Sequence, residues 1–161
     1  MAETKLIFPR WLWHGCMAEL KRRGHGLHES GCFVLGTVNG RRKYATRCVY
    51  YDELDPEAYA SGVCILDGGA FPKLWETCRA EKLTVLADVH THPGEPYQSE
   101  SDRQNPMIAR AGHLAIIVPR FADGSIWRHR LGVYRYEGDH KWTDLCGWQA
   151  RGHLKVRWSW K

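Results

Sequence analysis

The chain has 161 residues, 43% of them hydrophobic and 12% aromatic, which suits one domain with a substantial core and argues against disorder of the chain as a whole. Its 23 basic and 18 acidic residues leave a net charge of +5, with short basic clusters at Lys21-Arg22-Arg23 and Arg41-Arg42-Lys43 that read as solvated faces. Neither cluster is long enough to make nucleic acid the default partner. No stretch approaches the eighteen apolar residues of a membrane span, and the amino terminus lacks the apolar region of a secretory signal.

In chain order, residues 9–23 place Trp11, Leu12, Cys16, Met17 and Leu20 near one helical stripe, with Pro9 in the first turn. A helix is expected there, ending before Gly24, with Trp11 and Trp13 as packing residues. Residues 31–38 and 43–51 are β-rich runs flanking Asn39-Gly40, which predicts a hairpin. Residues 52–59 read as loop. A helix is expected over 71–82, with Leu74, Trp75 and Cys78 on one side.

Leu83 to Val89 predicts a strand running into His90-Thr91-His92-Pro93. A polar loop and a short helix around 105–111 follow, then strands at 113–118 and 131–136. The tail from Leu154 to Trp160 alternates apolar and polar residues as a half-buried strand does, its tryptophans covering the core. The order indicates a mixed α/β (α+β) domain, residues 1–161, with one central sheet flanked by helices.

Six cysteines stand at 16, 32, 48, 64, 78 and 146. The first four are sixteen residues apart, but their neighbours do not repeat, so the spacing reads as coincidence. No C-x-x-C pair is present, and scattered single cysteines suit reduced, buried thiols in a cytoplasmic protein.

The segment His90-Thr91-His92-Pro93-Gly94-Glu95-Pro96-Tyr97-Gln98-Ser99-Glu100-Ser101-Asp102 carries the chemistry. Histidines at i and i+2 on a strand point to one face, where two rings can reach one metal. Asp102 can return as a third ligand and leave a fourth tetrahedral place open, the arrangement of a catalytic rather than a structural zinc. The same residues allow blander readings. A His-x-His pair can be hydrogen-bonded rings at a strand end, and Ser99-x-x-Asp102 has the spacing of a helix capping box.

His-Thr-His-Pro followed by Ser-x-x-Asp resembles the JAMM signature of the MPN (JAB) metallopeptidases. Glu29-Ser-Gly-Cys-Phe-Val-Leu-Gly36 resembles the family's glutamate, apolar strand and glycine, and Leu114-Ala-Ile-Ile-Val-Pro119 the strand after the site in bacterial members. The resemblance runs over roughly residues 9–136. Two departures stand out: five residues, Gly94 to Gln98, separate proline from serine where six are usual, and the first glycine, Gly31, comes one place early.

The resemblance implies a cytidine-deaminase-like α/β fold with His90, His92 and Asp102 binding Zn2+, Glu29 as general base and Ser99 as hydrogen-bond donor to the oxyanion. It further implies hydrolysis of an amide at the carboxyl terminus of ubiquitin or a ubiquitin-like protein. Short bacterial members accompany E1- or E2-like proteins in antiviral operons, or process sulfur-carrier proteins. A RadC-like, nucleic-acid-associated protein and a non-catalytic MPN scaffold are the competing readings. Asp88 reads as a solvent-facing strand residue, with orientation of an imidazole as its alternative. His14, His25, His28, His113, His129, His140 and His153 read as surface or core residues.

Overall fold

The computed structural model describes residues 4–158. Among these, eight strands form one mixed sheet in the order β7-β6-β5-β4-β2-β3-β1-β8. The strands are β1 (Lys5–Pro9), β2 (Gly31–Asn39), β3 (Arg42–Tyr50), β4 (Thr84–Thr91), β5 (Leu114–Val118), β6 (Gly132–Gly138), β7 (Lys141–Asp144) and β8 (Leu154–Arg157). Five α-helices accompany them: α1 (Arg10–Gly24), α2 (Tyr51–Leu54), α3 (Ala70–Glu81), α4 (Glu100–Gln104) and α5 (Ala150–His153). The mixed α/β architecture expected from the sequence is present.

The two long helices cover opposite faces of the sheet. The buried residues of α1 (Leu12, Trp13, Cys16, Met17, Leu20 and Gly24) fall on one stripe, packed with Cys32, Val34, Val89 and Ile116. α1 is capped after Gly24 by His25, which takes the left-handed conformation at φ 53°. α3 buries Leu74 and Cys78 with Phe33, Leu35, Tyr51 and Val85 on the other face. Adjacent residues of β2 thus enter different cores, as strand alternation requires.

The central strand β4 carries an irregularity that decides where its functional residues point. Val34 pairs with Ala87 but Leu35 pairs with Val85, so Leu86 is an extra, bulged residue. Val85 therefore lies on the α3 face although Ala87 and Val89, at the same parity, lie on the α1 face. Asp88, His90 and His92 fall on the α3 side.

Gly36 in β2 sits where a Cβ would lie 1.9 Å from the Tyr44 carbonyl oxygen, so glycine is needed for β2 to pass β3 at the register shift between Leu35 and Gly36.

Several expectations are corrected. The short helix is 100–104, not 105–111: Pro106 disfavours helical geometry at Asn105, whose φ and ψ are −125° and 68°. Part of the expected loop at 52–59 is helix α2. Trp11, 61% exposed, is not a packing residue, whereas Trp13 is 4% exposed. Trp75 is only partly covered, 40% exposed. Trp158 does not cover the core: it is exposed beneath the Arg10 guanidinium, 3.9 Å from its ring centre. The expected tail strand stops at Arg157; Ser159 and Trp160 lie outside the described residues.

The basic end of α1 is not simply solvated. Arg23 bonds Glu19, Asp52 and Glu53, Arg22 bonds Glu19, and Lys21 pairs with Asp123. No helix among the described residues is long and apolar enough to cross a membrane.

Candidate metal centre

Three structural devices bring Glu29, His90, His92 and Asp102 together. The first is strand register. β2 and β4 are antiparallel with Gly31 opposite His90, so the chain before β2 runs back alongside Thr91 and His92. Thr91 N–H donates to the Ser30 carbonyl at 2.9 Å, and Thr91 Oγ1 accepts from the Ser30 N–H at 3.0 Å. Glu29 is thereby placed beside His92, with Oε1 3.8 Å from His92 Nε2.

The second device is the segment after α2. Glu29 N–H donates to the Gly62 carbonyl, and its Oε2 accepts from the Cys64 N–H at 3.1 Å. Tyr59 hydroxyl donates to the Gly31 carbonyl at 3.0 Å and stacks on His28. Sequence reading missed this clamp because a backbone N–H such as that of Cys64 leaves no trace in residue type.

The third device is the loop from Pro93 to Gln98 and the helix it leads into. The Pro96 carbonyl oxygen lies 2.0 Å from where a Cβ on Gly132 would be, and it accepts from the Tyr134 hydroxyl at 3.4 Å. Arg120 N–H donates to the Gly94 carbonyl at 3.0 Å. The loop rests directly on β6 and delivers Ser99 as the N-cap of α4. Ser99 Oγ accepts from the Asp102 N–H at 3.1 Å, while Asp102 Oδ2 accepts from the Ser99 N–H at 2.7 Å and from the Ser99 hydroxyl at 2.8 Å. The capping-box reading and the ligand reading of Asp102 are therefore compatible. Trp142 of β7 donates its indole N–H to the Arg103 carbonyl at 3.1 Å and ties α4 to the sheet edge.

His90 Nε2 and His92 Nε2 lie 3.1 Å apart. Asp102 Oδ1 is 3.4 Å from the former and its Oδ2 3.3 Å from the latter. Two ring nitrogens and a carboxylate thus converge, with their donor atoms within 4.8 Å of one another. Burial disfavours charge on both sides of this contact, yet the mutual attraction outweighs it. The two imidazoles hold the Asp102 carboxyl far below the usual carboxylate range, and Asp102 and Asp88 push His90 up to about 10 in the absence of metal. A cation satisfies the same lone pairs in place of those protons. His90 Nδ1 is buried without a hydrogen-bond partner, its nearest carboxylate oxygen being Asp88 Oδ2 at 3.8 Å. The donor set fits a divalent ion held by three protein ligands.

Asp88 is not solvent-facing: it is 2% exposed, and its Oδ1 meets His113 Nε2 at 2.7 Å. Burial alone would raise the Asp88 carboxyl, but His113 and His90 hold it below the usual range. His113 was among the histidines with no informative spacing, and its contact crosses from β4 to the residue before β5.

A cleft of about 390 Å³ opens beside the histidines, lined on its apolar side by Ile65, Leu66, Phe71 and Met107 and on its polar side by His90 and Asp102.

Comparison with known proteins identifies the family of the chain. Residues 15–130 match the family described as prokaryotic homologs of the JAB domain. This chain is a member of that family. It is thus a JAB/MPN metallopeptidase-family protein. A protein of Sinorhizobium fredii described as a probable metalloprotease is 32% identical over 63 residues, 39% of either chain. The same fold recurs in the solution structure of a protein from Desulfitobacterium hafniense, with TM-score 0.69 at 12% identity over 97% of this chain and 95% of the other. A protein from Salinibacter ruber has TM-score 0.57 at 18% identity, with 86% of each chain covered.

Proposed function

We propose that this JAB-family protein is a zinc-dependent isopeptidase that cuts the amide bond after the terminal glycine of a ubiquitin-like protein. The observation that carries the reading is the convergence of His90, His92 and Asp102 with the Glu29 carboxylate 3.8 Å from His92 Nε2. In this reading His90, His92 and Asp102 hold the ion. When bound, zinc supplies Lewis-acid polarisation and makes water acidic enough to lose a proton near pH 7.

The remaining roles belong to the chain's own side chains. Glu29, fixed by the Cys64 N–H, takes the proton of the attacking water on its free oxygen and passes one to the leaving amine. Ser99 lies at the edge of the same site, and its hydroxyl turns from Asp102 to the oxyanion, a contact of a kind whose loss slows amide hydrolysis in other proteases by about 100- to 1,000-fold. Cys64, Ile65 and Leu66 line the cleft, where a substrate tail can lie and pair through its main chain. Small residues such as glycine suit a tail that must approach this closely. Conjugation partners of E1- or E2-like type and a role in antiviral defence belong to the same proposal.

The test is cleavage of a ubiquitin-like fusion by the full-length zinc-loaded protein. Glu29→Gln should retain zinc and lose cleavage. Undiminished cleavage by Glu29→Gln, or loss of zinc from it, overturns the assignment of the base.

A further inference from the structure

The spacing of cysteines along the chain, which reads as coincidence in the sequence, has a structural counterpart. Cys16 lies on α1, Cys32 on β2 and Cys48 on β3. In the β2–β3 register Cys32 pairs with Tyr50 and Val34 with Cys48, so Cys32 and Cys48 share the face covered by α1. Cys16 comes down onto them from the buried stripe of that helix. The three sulfurs lie within 4.8 Å of one another, with Cys16 Sγ and Cys32 Sγ 3.6 Å apart.

One buried thiol in a core is ordinary packing. Three sulfurs from three elements, turned toward a common point, put polarisable donors where branched aliphatic side chains would fill the volume better. The set is chemically uniform: among the described residues no imidazole or carboxylate joins it. Thiolates select soft ions, above all Cu(I), zinc and iron–sulfur clusters. A structural zinc takes four protein ligands, whereas a three-sulfur set suits Cu(I), which is content with three. An ion about 2.3 Å from each of three sulfurs requires sulfurs about 4 Å apart, close to what the fold already provides.

We propose that Cys16, Cys32 and Cys48 form a second metal site, a trigonal thiolate site for Cu(I), on the sheet face opposite the histidine centre. Copper keeps its oxidation state on binding, and each sulfur that coordinates as thiolate releases one proton to solvent. Cys48 is the half-buried member and the point of entry. Its occupant would pin α1 to β2, whose preceding residue Ser30 already donates its hydroxyl to the Leu20 carbonyl at 2.7 Å.

The experiment is an anaerobic titration of the full-length, phosphine-reduced protein with Cu(I) in the presence of a chromogenic Cu(I) chelator. One equivalent should be retained against the chelator, with an ultraviolet thiolate-to-copper charge-transfer band and protection of Cys48 from alkylation. Cys48→Ser should weaken retention by at least about 100-fold, since even outer-shell partners account for 10- to 100-fold, while its zinc content stays that of the parent. His92→Ala should retain copper as the parent does. Failure of the parent to hold copper against the chelator overturns the site, and so does equal retention by Cys48→Ser. Because the first of these needs no variant, misfolding of the substituted protein does not shield the proposal.

Discussion

Thr91 Oγ1 accepts a hydrogen bond from the Ser30 N–H at 3.0 Å, and the same Ser30 offers its carbonyl to the Thr91 N–H at 2.9 Å. The threonine between the two histidines thus fixes the residue next to Glu29. Thr91→Val keeps the shape and removes the acceptor, leaving a buried N–H unsatisfied. The expected loss of stability is about 1–3 kcal/mol, read by urea denaturation. Zinc content should be unchanged while kcat falls. A variant with parental kcat would show that this link does not position Glu29.

Asp88 provides the second prediction. Its carboxylate is buried between His113 and His90, so Asp88→Asn should destabilise the fold by about 1–3 kcal/mol. Outer-shell partners of metal ligands typically contribute 10- to 100-fold to affinity, and about tenfold weaker zinc binding is expected here. Competition with a chromogenic zinc chelator measures it. His113→Gln should behave in the same direction, and unchanged affinity in both variants would confine the pair to a structural role.

The metal-free protein should have a defined pH window. Its His90 is pushed up to about 10, so the imidazolium contributes stability that is complete below its unfolded value of about 6.5 and is lost as pH rises through the folded value. Asp102 is depressed, so its contribution is present above about 3.9 and is lost as the pH falls below that. The thermal midpoint of chelator-treated protein should therefore fall on both sides of this range. Zinc must displace the His90 proton, so zinc affinity should rise with pH, with release of about one proton per ion. Calorimetry in buffers of different ionisation enthalpy counts that proton, and zero release would contradict the charged His90.

Ser99 has two separable roles. Ser99→Ala removes the acceptor for the Asp102 N–H and a donor to Asp102 Oδ2. Loss of such a cap lowers stability by about 0.5–2 kcal/mol, and loss of an oxyanion donor slows the reaction by about 100- to 1,000-fold. Ser99→Thr should restore the cap. If Ser99→Ala lowers stability but leaves kcat intact, the residue is a helix cap alone.

Much of this architecture is legible in the sequence. α1, α3, the β2–β3 hairpin and β4–β6 follow from periodicity and turn chemistry, because each carries its own apolar pattern. β1 and β7 were not legible. Lys5–Pro9 is too short to alternate visibly and becomes a strand by docking between β3 and β8. Lys141–Asp144 has no apolar run and is held by β6. At the site, His90, His92 and Asp102 are readable because one segment carries all three. Glu29 is readable only through family resemblance, since the register that brings it to His92 is a tertiary fact. The Asp88–His113 pair and the convergence of Cys16, Cys32 and Cys48 depend on contacts between elements remote in the chain.

The bare backbone at Gly132 sets a stop for the loop that carries Pro96. Because the Pro96 carbonyl already rests on that backbone, the loop cannot move inward, and any side chain at 132 would act as a shim beneath it. Replacement of this single glycine is sterically closed. The rim of the cleft is thus held in place by a strand residue that touches none of the proposed metal ligands and not the proposed base.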